Sequence, residues 1–326
     1  MNPYLEPGQL IPKGLRSVDK EAIRLSQCLL EGLQKRHSMV AIEDAADVRK
    51  VSCNDEKGKL TKAVVSLPTY LDWGMGINMA EIENMANKPD RLKAVIEHMK
   101  LIGTLLMRNV ELIVIKPTQD KLEGVYTRDI GFVVGNKCIH ANFVAEPRWA
   151  EERSISGGIK PPAEVKIEGG NALIDGNMVF LGIGDRTNIQ AAVWLQEVLG
   201  TEFEVVPLFL QPGVLHLDCA FSPIAKPNGT NGGALVYSEA FVNERDIALL
   251  RKVYGRLFAV NKQEYKNLGL NTFALDQHTR IVNPNCPIVC EILAYELHQT
   301  IVPVGLDEIV KGEGYARCSV MPLVRE

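Results

Sequence analysis

Apolar positions along the chain follow two periods, one helical and one strand-like, and the switches between them outline the elements. Ile23, Leu25, Cys28, Leu29, Leu30 and Leu33 recur at helical spacing after Ser17-Val-Asp-Lys-Glu, a run suited to an N-cap and first turn, so an amphipathic helix is predicted over 17–33. The polar stretch 54–59, with Asn, Asp and Gly, reads as a turn or linker. After it the pattern becomes strand, helix, strand: a buried strand at 63–67, an amphipathic helix at 90–107 and a strand at 110–115 that stops before Pro117. Further strands are predicted at 130–134, 137–142, 178–183, 203–207 and 214–218, with a helix at 187–199. Such alternation implies an α/β fold without choosing among α/β folds. A dinucleotide fold is not supported, because Gly182-x-Gly184 lacks the third glycine of the phosphate-binding turn.

Composition narrows the class of partner. The 326 residues are 46% hydrophobic and 23% charged, enough to bury a large core in one big or two smaller domains. A net charge of -4 with dispersed basic residues argues against nucleic acid or anionic membrane as partner. No apolar run approaches the length of a spanning helix, and Met1-Asn2-Pro3-Tyr4 lacks the regions of a secretory signal, so a cytoplasmic location is expected. Seven scattered cysteines fit a reducing compartment better than a disulfide framework. Cys286 and Cys290 lack a companion pair or histidines for zinc, and His98, His140 and His298 lack neighbours at ligand spacing, so all are read as packing or surface residues.

Several short motifs carry chemistry. Cys318 follows Gly312-Glu-Gly-Tyr-Ala-Arg317 close to the C-terminus, among glycines and basic residues that suit a nucleophilic thiol. The alternation in Leu215-His216-Leu217-Asp218 predicts His216 and Asp218 side by side on one face of a strand. Glu168 precedes the pair Gly169-Gly170, where backbone can approach closely, and Tyr126-Thr127-Arg128-Asp129 leads into the apolar run 131–135. Taken singly, each motif is equally compatible with turn chemistry or packing.

In this order, Thr-Arg-Asp, Glu-Gly-Gly, Arg186-Thr-Asn188, His-Leu-Asp and the terminal Gly-x-Gly-x-x-Arg-Cys resemble the guanidine-modifying superfamily of arginine deiminases, dimethylarginine dimethylaminohydrolases and amidinotransferases, over roughly Lys62 to Glu326. The resemblance implies the pentein fold, an α/β propeller of five ββαβ modules, as one catalytic domain at 61–326 behind an N-terminal helical extension at 1–60. It also implies a division of labour among the residues. A guanidinium is planar and resonance-stabilised, so its carbon is a poor electrophile until carboxylates orient it by paired N–H bonds. Asp129 and Asp218 match the guanidinium-binding positions. Cys318 would attack the carbon, His216 would protonate the departing amine and then activate water, and Glu168 would orient the histidine. Arg148 and Arg186 resemble positions that hold the carboxylate of an arginine-like substrate. Neither metal nor organic cofactor is implied.

The chain departs from that pattern in places. Asn171 stands where an acid is usual, Glu313 replaces a glycine before the cysteine, and 121–124 lacks the usual Pro-Asn. The expected activity is hydrolysis of a small guanidino substrate. Amidino transfer to an amine, hydrolysis of a citrulline-like ureido compound and a non-catalytic binding pentein stay open, as does a homo-oligomer. A papain-like protease is disfavoured because His216 precedes Cys318.

Overall fold

The structure, a computed structural model, describes residues 17–73, 76–225 and 231–326. The signal-peptide reading of Met1 to Tyr4 therefore lies outside the described residues. Helix Ser17–Arg36 packs on helix Arg91–Met107, where the Asp19 carboxylate pairs with Arg91 at 3.2 Å, and Thr69, in the loop after strand Leu60–Ser66, donates to Ser26 at 2.8 Å. After that helix the chain enters the main sheet, since Val40–Glu43 pairs parallel with Glu111–Ile115. The N-terminal segment thus covers its own body of structure, with Leu33 and Val40 in one core with Leu101, Ile102 and Leu105.

A single unit recurs through the rest of the chain: an antiparallel hairpin, a helical crossover and a strand parallel to the hairpin's second arm. Ala172–Asp175 and Met178–Ile183 form one hairpin, helix Ile189–Leu199 crosses over, and Glu204–Phe209 returns parallel to Met178–Ile183. The next repeats this with Phe221–Ala225, Asn231–Val236, helix Glu244–Tyr254 and Leu257–Ala259. Phe273–Ala274, Thr279–Val282, the helical segments Pro287–Glu291 and Ile292–Glu296, and Thr300–Pro303 make another. In a fourth, Gly131–Val134 and Lys137–His140 are followed by the 3-10 crossover Glu146–Ser154, with Ile159 bridging parallel to Ile139. The last joins the two ends of the chain: Met321–Arg325 pairs antiparallel with Leu60–Ser66, helix Arg91–Met107 crosses over, and Glu111–Ile115 returns parallel. These are the ββαβ modules of a pentein, and their repetition is one of geometry, with no repeated sequence to reveal it.

The expected elements form with small shifts of boundary, because capping residues stand just outside the helices they start. Asp90 and Asn188, placed inside predicted helices, are their N-caps and accept from the backbone N–H of Lys93 and Ala191. One expectation fails. The strand at 214–218 does not form: His216 is extended, with φ -141°, and Leu217–Ala220 is a helical turn. His216 and Asp218 therefore reach a common space from a strand-to-helix corner. His298 lies beyond its helical segment, exposed and in the left-handed region with φ 51°. Among the described residues no helix is long and apolar enough to cross a membrane.

Candidate active site

The candidate nucleophile, its histidine and the candidate carboxylates stand just before the first strand of a module, whereas Arg148 lies in a crossover and Arg186 in a strand-to-helix turn. Asp129 precedes Gly131–Val134, Glu168 precedes Ala172–Asp175, His216 and Asp218 precede Phe221–Ala225, and Cys318 precedes Met321–Arg325. The equivalent place before Phe273–Ala274 is held by Asn271, which sequence reasoning missed. Hydrogen bonds link these entry segments in a closed ring. The Arg128 N–H donates to the Cys318 carbonyl at 2.9 Å, and the Gly169 N–H donates to the Asp129 carbonyl at 3.1 Å. Leu217 N–H then donates to Asn171 Oδ1 at 2.9 Å, Asn271 Nδ2 to the Asp218 carbonyl at 3.4 Å, and Cys318 N–H to Asn271 Oδ1 at 3.2 Å. Residues far apart in sequence are thereby fixed to one another through main-chain groups and the side chains of Asn171 and Asn271, which supports the precise placement a catalytic constellation needs.

Inside the ring, the His216 imidazole is fully buried, with Nε2 2.8 Å from Glu168 Oε2. Its Nδ1 faces Asp129 Oδ1 at 3.6 Å, and neither atom has a hydrogen-bond partner. Gly170 makes room for this approach: a Cβ there would stand 2.5 Å from Nδ1 and 2.9 Å from Asp129 Oδ1. Burial alone would lower the His216 pKa, but Asp129, Glu168 and Asp218 outweigh it and raise it above the usual 6.5. Burial likewise pushes Glu168 up, yet the hydrogen bond and charge of His216, with Arg186 and Arg148, hold it below its usual value. Both shifts favour the pairing of an imidazolium with a carboxylate.

Cys318 Sγ lies 4.0 Å from Asp218 Oδ2 and receives a hydrogen bond from Asn271 Nδ2 at 3.2 Å. The neighbouring Cys219 thiol, which donates to Asp218 Oδ1 at 3.5 Å, acts to favour the thiolate. Burial and the charges of Asp218 and Asp129 outweigh it and keep the Cys318 pKa above its usual value. The nucleophile candidate is thus a neutral thiol beside two carboxylates, in need of a positive charge.

An arginine braces each aspartate. Arg148 Nη1 donates to Asp129 Oδ2 at 2.8 Å, while its Nη2 and Nε donate to Glu151 at 2.6 and 3.0 Å and its guanidinium lies 4.6 Å over the Phe143 ring. Arg317 Nε donates to Asp218 Oδ2 at 3.2 Å, and its Nη1 donates to Glu56 at 2.6 Å. Glu56 also accepts from Arg128 at 3.0 Å, so a residue of the predicted turn 54–59 sits at the centre of a buried ionic cluster. No sequence signal distinguished it from an exposed turn acid. Arg148, expected to hold a substrate carboxylate, is committed to protein carboxylates and anchors Asp129 instead. Arg186 differs: Nη2 donates to the Ile77 carbonyl at 2.6 Å, but Nη1 is buried without a hydrogen-bond partner, 3.7 Å from Glu168 Oε1. Asn171, the departure from the expected acid, bridges Thr187 Oγ1 and the Leu217 N–H, which fixes the corner that carries His216.

A family model for N,N dimethylarginine dimethylhydrolase, eukaryotic, matches residues 78–325. The uncharacterized protein YkgA of Bacillus subtilis is 34% identical over 285 residues, covering 85% of this chain and 96% of YkgA. Among solved structures, the product-bound N-terminal domain of ArgZ, an arginine dihydrolase of cyanobacteria, superposes with a TM-score of 0.70 at 22% identity, over 82% of this chain and 98% of that domain. A variant of the same domain has been seen covalently bonded to a reaction intermediate. The amidinotransferase SxtG of Microseira wollei superposes with a TM-score of 0.68 at 17% identity, over 85% and 97% of the two chains. The likeness to the solved structures shows the pentein fold, and the match over 78–325 shows that the chain belongs to the dimethylarginine dimethylhydrolase family of guanidine-modifying penteins.

Proposed function

We propose that the protein is a cysteine-dependent hydrolase of the guanidino group of arginine or an arginine derivative, acting through an amidino-thioether on Cys318. The observation that carries this reading is the buried, unpartnered pair of Asp129 Oδ1 and His216 Nδ1, in the same space as a thiol flanked by Asp218. An unpaired acceptor buried beside a second carboxylate is costly unless a cationic donor completes it, and a guanidinium offers N–H groups in the required fork. Membership in a guanidine-modifying family agrees with that chemistry.

In this reading a guanidinium enters between Asp129 and Asp218 and offsets the charges that hold the Cys318 thiol neutral, so its arrival favours loss of the thiol proton to solvent and leaves the thiolate. The thiolate attacks the guanidino carbon and a C–S bond forms. The C–N bond to the departing amine then breaks as His216 delivers the proton on Nδ1, the nitrogen turned away from Glu168. The neutral imidazole next takes a proton from water attacking the amidino carbon; the C–S bond breaks and the thiolate returns. Glu168 keeps Nε2 occupied throughout, which leaves Nδ1 as the transferring atom. Arg148 and Arg317 position the two aspartates, and we assign the substrate's carboxylate to Arg186 alone.

The test is release of ammonia or amine from arginine, methylated arginines, agmatine and citrulline, run beside Cys318→Ser. Turnover of a guanidino compound, lost in the variant, supports the reading. Turnover only when an amine acceptor is added would make the protein an amidinotransferase, turnover of citrulline alone would make it a ureido hydrolase, and no turnover by either protein would favour a binding role.

A further inference from the structure

One buried carboxylate in the site has no part in the chemistry above. Glu313 lies five residues before the nucleophile and holds left-handed backbone with φ 65°, a region that disfavours side chains larger than glycine. The residue as a whole is half-buried, but Oε2 is buried and has no hydrogen-bond partner. Strain and an orphaned acceptor at one residue, beside a candidate active site, point to a ligand and not to packing.

Its surroundings say which ligand. The segment carrying Glu313 is latched to 77–84: Asn84 Nδ2 donates to the Lys311 carbonyl at 3.0 Å and Asn78 Nδ2 to the Gly312 carbonyl at 3.5 Å. The same segment receives Arg186, whose Nη2 donates to the Ile77 carbonyl. Arg186 and the backbone just before Glu313 are therefore tied to one segment, and Arg186 Nη1 is an orphaned donor to match the orphaned acceptor. Burial pushes the Glu313 carboxyl up to about 7, with Glu81 adding to the rise, although His216, the Ala80 N–H and Arg186 oppose it. A buried carboxyl without a counter-ion of its own gains by meeting a cation.

We propose that Glu313 is a specificity-determining residue that accepts the α-ammonium of the substrate while Arg186 takes its α-carboxylate, so that the enzyme selects guanidino compounds ending in a free α-amino acid. The inference rests on the guanidino-hydrolase reading above. It excludes as preferred substrates both agmatine, which lacks the carboxylate, and desamino-arginine, which lacks only the ammonium.

The experiment measures protection of Cys318 against alkylation by chloroacetamidine, a readout independent of turnover, together with kcat/KM wherever turnover occurs. Arginine, dimethylarginine, their desamino counterparts and agmatine are compared in wild type, Glu313→Gln and Glu313→Gly; the glycine variant removes the carboxylate and relieves the left-handed backbone, so it guards against misfolding of the other. Wild type should prefer the ammonium-bearing compounds by about tenfold or more, and both variants should reduce that preference to about twofold or less, while the preference for arginine over agmatine stays. An unchanged ammonium preference in both variants, or none in wild type, overturns this inference and leaves the hydrolase reading standing. Failure of every guanidino compound to protect Cys318 or to turn over overturns both.

Discussion

Two buried ionic clusters meet at Asp218, and they are built on opposite principles. On one side Glu56, Arg128 and Arg317 satisfy one another: Glu56 accepts from both arginines, and the arginines reach the Ala172 and Gly169 carbonyls and the Asp218 carboxylate. On the other side Asp129 Oδ1, His216 Nδ1, Glu168 Oε1, Arg186 Nη1 and Glu313 Oε2 are all buried without a hydrogen-bond partner. Completed buried networks rigidify a fold, whereas incomplete ones cost stability and persist where a ligand completes them. The closed cluster is scaffold, and it grips the residues next in sequence to Asp129 and Cys318. The open cluster is the candidate site.

Substitutions on the two sides should separate activity from stability. The largest effect is expected from Cys318→Ser, which should lower turnover by about 10⁴-fold or more while urea unfolding shows a midpoint close to wild type. A variant that keeps substantial turnover would remove the nucleophile from the account. On the closed side, Glu56→Gln leaves Arg128 and Arg317 buried against a neutral partner, and it should cost about 3 kcal/mol or more in urea unfolding. A loss below about 1 kcal/mol would show that the closed cluster is not scaffold.

Histidine protonation sharpens the contrast further. Because the folded-state pKa of His216 is raised above 6.5, its contribution to stability is fully present below about pH 6.5 and is lost as pH rises through the raised value. Wild type should therefore lose stability relative to His216→Gln as pH rises above about 6.5 and through that raised value, measured by urea unfolding. A gap that stays flat would mean that His216 is not held as the imidazolium. The smallest effect is Glu313→Gly, which relieves left-handed backbone and should raise stability by about 1 kcal/mol, as expected of a residue retained for binding. A fall of that size would instead make Glu313 a structural residue.

The sequence was most legible where residue type alone restricts chemistry. Cys318, His216, Glu168, Asp129 and Asp218 were each expected, from ordered motifs, and the structure gathers them at module entrances. Three things were not legible, for physical reasons. Asn271 and Glu56 are ordinary turn residues until the ring and the buried arginines close around them, and no local pattern encodes a contact across 47 or 261 residues. Alternation at 215–218 suggested a strand, but the Asn171 side chain holds the Leu217 N–H and turns the chain into a helical corner, a tertiary bond overriding local pattern. The partners of Arg148 were hidden because charge balance is a property of the assembled site: Asp129, Glu151 and Glu123 surround it, the last at 3.7 Å.

The central claim is that the open cluster is completed by a guanidinium that Cys318 then attacks. Its most direct test is to mix the protein with the guanidino compound it turns over, quench in acid within the first turnovers, and map the adduct by peptide mass. An amidino group on Cys318, absent from Cys318→Ser, is the predicted result; turnover that proceeds with no adduct on any cysteine, or with an adduct on Cys219 in place of Cys318, would contradict it.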